Sequence, residues 1–266
     1  MAVQISDLFH RTPAKRIFAG VCPVHGDVDM SEVEQLDGSM LPRGCKRCAW
    51  EALHMTSRDS EAYTLANSQR KAENAMAAMI AAGITPRFAE ATFDSYVAEG
   101  EQQRKALAKC RQYAEQFPSH FRAGRSLILT GNVGCGKTHL ASAIVRTVVA
   151  DRCQTLIIPA SDIISIARAS MVPGSGYTDR DVVLHLGGLD LLAIDEVGCQ
   201  KGSDYELGLL HAIIDRRYQA VLPTVLISNL SVDGLKGYIG ERALDRLRQN
   251  GGMAVGFTWS SMRAVA

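Results

Sequence analysis

The chain has 266 residues, with 29 Lys and Arg against 28 Asp and Glu, a formal charge of +1, and a hydrophobic content of 47%. That balance excludes a global electrostatic pull toward nucleic acid, so any such contact must come from a local patch. No apolar run approaches the ~20 residues of a membrane-spanning helix. The start MAVQISDLFHRTPAKR is mixed and charged, unlike a signal peptide, which predicts a cytoplasmic protein with no membrane partner. In that setting the seven cysteines are thiols or metal ligands rather than disulfides.

In chain order, the first chemistry-bearing pattern is CPVH followed by CKRC. Cys22, His25, Cys45 and Cys48 form two short knuckles whose thiolates and imidazole suit a closed tetrahedral Zn²⁺ site. Four protein ligands leave no open position for a substrate, so the spacing predicts a structural metal. Residues 50–82 are free of Pro and Gly and rich in Ala, Met, Glu and Lys, which predicts a helical stretch. Leu65, Ala72, Met76 and Met79 form its expected apolar stripe, available either for packing within the chain or for an interface. Gly83 to Pro86 reads as a linker.

Next comes SLILTGNVGCGKTHLASAIV, an apolar strand followed by GxxxxGKT and then a helix. The span Gly131, Asn132, Val133, Gly134, Cys135, Gly136, Lys137, Thr138 and His139 is the expected seat of a nucleoside triphosphate. Backbone N–H groups would curl around its phosphates, Lys137 would add a point charge, and the Thr138 hydroxyl would hold Mg²⁺. Cys135 sits at a variable position of the loop and reads as incidental rather than as a redox switch. Cys110, Cys153 and Cys199 default to packing roles.

Downstream, LDLLAIDE is a buried strand ending in two carboxylates, Asp195 to bind Mg²⁺ through water and Glu196 to polarise an attacking water. TVLISN is a further apolar strand ending in Asn229, whose amide is placed to orient the same water. GERALDRLRQNG then reads as an arginine-studded amphipathic helix, with Leu244 and Leu247 toward the core and Arg242 and Arg246 sharing another face. Strands near 126–130, 155–158, 189–194, 224–228 and 253–258 alternate with helices, predicting an α/β fold with a mostly parallel sheet.

The set GITPRFAEATFDSY, ALAKCRQYAEQF, GNVGCGKTHLA, LLAIDE, GERALDRLR and FTWSSMR closely resembles the DnaC family of bacterial and phage replicative helicase loaders. That family is related to the transposition ATPase IstB and the initiator DnaA, and the resemblance covers roughly residues 70 to 266. It implies an AAA+ P-loop ATPase that uses ATP to load a DnaB-type replicative helicase onto single-stranded DNA. It further implies that Lys137, Asp195, Glu196 and Asn229 act at the triphosphate, with Asn229 on the sensor 1 position. Arg246, or as second choice Arg242, falls on an arginine finger acting on a neighbouring subunit, which requires a homo-oligomer. Arg263 falls on the sensor 2 position. Phe88 to Phe93 would pack on adenine. Residues 171–181 lie where relatives line a channel for single-stranded DNA, with Arg168, Tyr177 and Arg180 as contacts; a mobile surface loop is the alternative.

The resulting division is a zinc-binding module at 1–50, a helical helicase-binding segment and linker at 51–86, and an AAA+ domain at 87–266. The zinc-knuckle module is an addition to the family pattern, so whether helicase or DNA meets it stays open. An IstB-like ATP-dependent adaptor that targets a transposase to DNA is the alternative reading.

Overall fold

The computed structural model describes residues 4–262, which group into two compact units, one of residues 11–89 and one that joins residues up to His10 to residues from Glu90 onward. The smaller unit runs across position 50 and ends three residues beyond position 86. The strands that carry the Cys/His pattern and the long helix after them belong to one unit, and residues 4–10 belong with the other.

The chain begins with α1 (Ile5–Phe9), whose Ile5, Leu8 and Phe9 at i, i+3 and i+4 pack against the core of the larger unit. The smaller unit opens with an antiparallel meander, β1 (Lys15–Cys22), β2 (Gly26–Glu34) and β3 (Met40–Arg43), in the order β1-β2-β3. Two helices follow, α2 (Lys46–His54) and α3 (Glu61–Ala81). The uninterrupted helix expected over 50–82 is therefore two helices. The polar run Thr56 to Ser60 breaks it, and the Ser60 hydroxyl caps α3 by accepting from Tyr63 N–H at 3.1 Å. The expected stripe also divides. Leu65 and Ala72 are exposed and Met76 and Met79 half-buried, while Ala66 and Ile80 are the buried residues of α3.

The larger unit continues with α4 (Glu101–Glu115), α5 (Phe117–Ala123), β4 (Leu127–Gly131), α6 (Lys137–Ala150), β5 (Thr155–Pro159), α7 (Ala160–Ala169) and α8 (Asp179–Gly188). It closes with β6 (Leu191–Val197), α9 (Asp204–Gln219), β7 (Thr224–Ser228), α10 (Val232–Arg248) and β8 (Met253–Phe257). All pairings among its five strands are parallel, in the order β5-β6-β7-β4-β8. LILTG, TLIIP, LLAIDEV and TVLIS are buried at nearly every position, as strands covered on both faces by helices must be.

Two features of this core matter for the site. Strand β7 lies between β4 and β6, so the end of β7 sits between the ends of the strands that carry the phosphate loop and the paired carboxylates. Arg217 of α9 is fully buried and caps the carbonyls at the end of α8: it donates to Leu186 O at 2.8 Å, Leu189 O at 2.7 Å, Thr224 Oγ1 at 3.0 Å and Pro223 O. Burial lowers its pKa to about 9, and the carbonyls stand in for a carboxylate partner. This guanidinium ties together the entries of β6 and β7 and so fixes where their ends emerge.

Candidate nucleotide-binding site and metal centre

The phosphate loop runs from the end of β4 into the first turn of α6, so that the helix dipole and the loop amides face the same region. Lys137 is buried and its ammonium donates to Gly131 O at 2.8 Å and Asn132 O at 2.6 Å, across the loop. Thr138 Oγ1 donates to Asp195 Oδ2 at 2.8 Å, which places the hydroxyl and the carboxylate expected to share a cation side by side. Asp195 Oδ1 accepts from Glu196 N–H at 2.7 Å. Burial raises the Asp195 pKa, and its two hydrogen bonds oppose that rise.

Glu196 is turned out of the sheet. Its φ of 56° is left-handed for a residue with a side chain, and the β6–β7 register shifts between Ile194 and Val197. The side chain is exposed while Asp195 and Val197 on either side are buried, so two adjacent carboxylates serve two environments. The turn is held by Cys199 N–H on Glu196 O at 3.2 Å, and Asn229 at the end of β7 reaches Cys199 Sγ at 3.5 Å. Asp195 and Glu196 thus lie at the end of β6, Asn229 follows the end of β7, and Lys137 and Thr138 open the helix that follows adjacent β4.

Thr92 and Tyr96 lie against His139 of α6: His139 Nε2 is 2.8 Å from Thr92 O, and Tyr96 stacks edge-on against His139 at 5.4 Å. Arg246 is held within its own chain, 2.6 Å from Asp215 and over the ring of Tyr218 at 5.5 Å. Arg242, one turn earlier, is exposed. The helix expected from Gly240 instead starts at Val232 and kinks at Gly240, with Leu244 and Leu247 buried as the pattern required. Arg263 lies outside the described residues. Tyr177 does not offer a free stacking face, because its ring packs against the core and its hydroxyl donates to Ile166 O at 2.9 Å. Arg168 pairs with buried Glu206 at 2.8 Å, and Arg180 is exposed.

In the smaller unit, Cys22 closes β1, His25 lies in the β1–β2 turn, Cys45 is the N-cap of α2 and Cys48 lies in its first turn. Their ligand atoms all fall within 4.8 Å of one another. Individual separations are 3.5 Å for Cys22 Sγ to Cys48 Sγ, and 3.7, 3.6 and 3.3 Å from His25 Nδ1 to Cys22, Cys45 and Cys48. A tetrahedron with ordinary Zn–S and Zn–N bonds has edges of roughly 3.5–3.8 Å, so the donors fit zinc in type and spacing. His25 Nε2 lies 3.0 Å from Glu51 Oε1, the carboxylate partner that orients a metal-binding imidazole. Backbone N–H groups of Val24 and His25 lower the Cys22 pKa to about 6, favouring the thiolate, while the hydrogen bond between Cys48 and Cys22, together with burial, raises Cys48 to about 11, holding a proton that a bound divalent cation would displace.

Two residues with no role assigned from sequence, Tyr96 and Trp259, also touch the phosphate loop, both hydrogen-bonding the Cys135 carbonyl at 3.2 Å. Their signal lies in FDSY and FTW, motifs that carry the resemblance without declaring a function.

A family model described as "IstB-like ATP binding protein" matches residues 62–249. The replicative helicase loader DnaC of Escherichia coli K12 is 36% identical over 182 residues, covering 68% of this chain and 73% of the relative. An uncharacterized protein of the same organism, YdaV, is 28% identical over 91% of this chain and 90% of its own length. Among solved structures, a crystal structure of the DnaC helicase loader superposes with a TM-score of 0.58 at 23% identity, covering 64% of this chain and 98% of that one, a likeness of fold. No helix among the described residues is long and apolar enough to cross a membrane. With a phosphate loop, paired carboxylates and an intervening strand in one parallel sheet, the chain belongs to the IstB/DnaC-like family of AAA+ ATP-binding proteins.

Proposed function

We propose that this protein is an ATP-dependent loader that binds a DnaB-type replicative helicase and delivers it onto single-stranded DNA during replication initiation. The observation that carries this reading is the 36% identity to a replicative helicase loader across most of the ATPase unit. When bound, Mg²⁺ neutralises phosphate charge, and Thr138 and Asp195, already 2.8 Å apart, would hold it. Lys137 binds the triphosphate, Glu196 polarises the attacking water from its exposed position, and Asn229 orients that water. Arg246 acts as the finger on a neighbouring subunit by exchanging Asp215 for phosphate, with Arg242 the second candidate. Zn²⁺ held by Cys22, His25, Cys45 and Cys48 has a structural role, and the helicase-binding surface lies within residues 1–80.

The test mixes the full chain with the host replicative helicase, ATP and Mg²⁺, and measures the mass of the complex and helicase transfer onto circular single-stranded DNA. Nucleotide-dependent transfer is expected. Glu196→Gln should keep ATP bound and slow hydrolysis by about 10²–10³-fold. The family model's IstB-like description favours a second reading, an adaptor that binds duplex DNA in an ATP-dependent way and recruits a transposase. That outcome without any helicase complex would displace the loader reading.

A further inference from the structure

The phosphate loop is gripped from outside by residues from both ends of the ATPase unit. Tyr96 Oη donates to the Cys135 carbonyl at 3.2 Å, and Trp259 Nε1 donates to the same oxygen at 3.2 Å. One residue earlier, the Gly134 carbonyl accepts from Met262 N–H at 2.9 Å. The grip is reciprocal: the Cys135 thiol donates to Trp259 O at 2.9 Å, and Asn132 Nδ2 donates to that oxygen at 3.3 Å. Burial raises the Cys135 pKa, which keeps it a protonated donor at neutral pH.

The fit is close enough to dictate the sequence GCG. Gly134 and Gly136 have φ of 79° and 85°, a region that disfavours side chains. A Cβ on Gly134 would lie 2.1 Å from Ser261 Oγ, and one on Gly136 would lie 2.5 Å from the Tyr96 ring. Every peptide here is trans, so the N–H of each points opposite to its C=O. Holding the carbonyls of Gly134 and Cys135 toward Met262, Tyr96 and Trp259 therefore turns the N–H groups of Cys135 and Gly136 the other way. Successive N–H groups turned to one side make an anion-binding concavity.

We propose that Tyr96 and Trp259 are paired positioning residues for the nucleotide phosphates, clamping the Cys135 carbonyl outward so that the Cys135 and Gly136 N–H groups stay aimed at the anion. The proposal rests on the reading of this loop as the ATP site. Neither side chain touches a reacting atom; both act through one peptide plane. Cys135 belongs to the clamp, because its thiol anchors the backbone of Trp259. The redundancy of the two donors gives the arrangement a signature. Losing either leaves the carbonyl bonded, whereas losing both leaves a polar group free to swing and compete with the phosphate.

The experiment uses the full chain with Tyr96→Phe, Trp259→Phe and the double variant; each keeps an aromatic ring and deletes the polar donor, and the melting temperatures register the ring volume that Trp259→Phe also removes. ATP affinity is measured with a fluorescent ATP analogue, and melting temperature is measured without nucleotide. Each single change should weaken binding by about threefold, and the double by about thirtyfold, more than the product of the singles. The melting temperatures should show no such excess. In a Trp50→Phe background, where Trp259 is the remaining tryptophan of the chain's two, its emission should shift on adding ATP. A double variant with wild-type affinity, or losses that multiply and follow the melting temperatures, would overturn the clamp alone. Wild-type protein that fails to bind ATP would overturn the nucleotide reading and the clamp with it.

Discussion

The two units bury their apolar side chains in contrasting ways. In the larger unit, Leu127, Ile128, Leu129, Leu191, Leu192 and Ile194 are at 0% exposure, and the parallel sheet is enclosed by helices. In the smaller unit Ile17, Val21, Trp50 and Met55 are each more than half exposed, and β1 is exposed along nearly its whole length. A unit of fewer than a hundred residues with so thin a core needs a staple, and four ligands drawn from a hairpin turn and a helix start provide one. The comparison teaches that one chain can stabilise its parts by different means: the larger unit holds itself by its own burial, whereas the smaller brings four donors of zinc type and spacing together, and on the proposed reading it draws its stability from the metal they would bind.

The sharpest way to break that contrast is to remove the metal ligands. Cys45→Ser, or a strong chelator, should unfold residues 11–89, because the binding free energy of a structural zinc, on the order of 10 kcal/mol, is folding free energy for such a unit. Limited proteolysis should then cut within residues 11–89 while the larger unit keeps its own thermal transition. Simultaneous loss of both transitions would show that the units are not independently stabilised. The converse test is Lys137→Ala, expected to weaken ATP binding by at least about 100-fold while zinc content stays unchanged. Isothermal titration and metal analysis on one preparation would check both. Loss of zinc in this variant would join what the comparison separates.

A smaller effect is expected at Arg246. Arg246→Ala should leave ATP affinity within about threefold but lower partner-stimulated hydrolysis by about tenfold or more, and mixing it with Lys137→Ala protein should restore part of the activity if the arginine acts on a neighbour. Its pair with Asp215 is half-buried, so a loss of about 1 kcal/mol in stability should accompany the change. Arg242→Ala, at an exposed position, should show no such stability loss. Absence of rescue in the mixture would place the arginine in its own subunit's chemistry.

The parts of the fold that were legible in the sequence are those encoded locally. The phosphate loop, the run LLAIDE and the Cys/His spacing each state their chemistry within a few residues, and the buried strands announce themselves by continuous apolar runs. The break between α2 and α3 was missed although its signal is local, since Ser60 follows a run of polar residues and caps what comes next. Strand β1 gave no alternation to read because both its faces are exposed. The placement of β7 between β4 and β6, the docking of Phe9 on His185 at 5.1 Å, and the meeting of Tyr96 with Trp259 at one carbonyl depend on pairings between distant residues. Periodicity within a window carries no information about such meetings.

The mildest prediction concerns Asp195, where function and burial oppose each other inside the well-packed unit. Burial raises its pKa above the ordinary carboxylate value, so the fold prefers the protonated form. The stability associated with that preference is present at low pH and is lost as pH rises through the folded-state pKa. At neutral pH, without magnesium or nucleotide, the ionised carboxylate therefore costs stability. Asp195→Asn should remove that cost and raise the melting temperature by about 3 °C near pH 7, a gain that narrows as pH falls toward the ordinary carboxylate range. The same change should abolish magnesium-dependent hydrolysis. A variant no more stable than wild type at pH 7 would mean that the Thr138 and Glu196 hydrogen bonds already offset the burial. A gain that shrinks on acidification would mark Asp195 as a charge held in the core for its chemistry rather than for the fold.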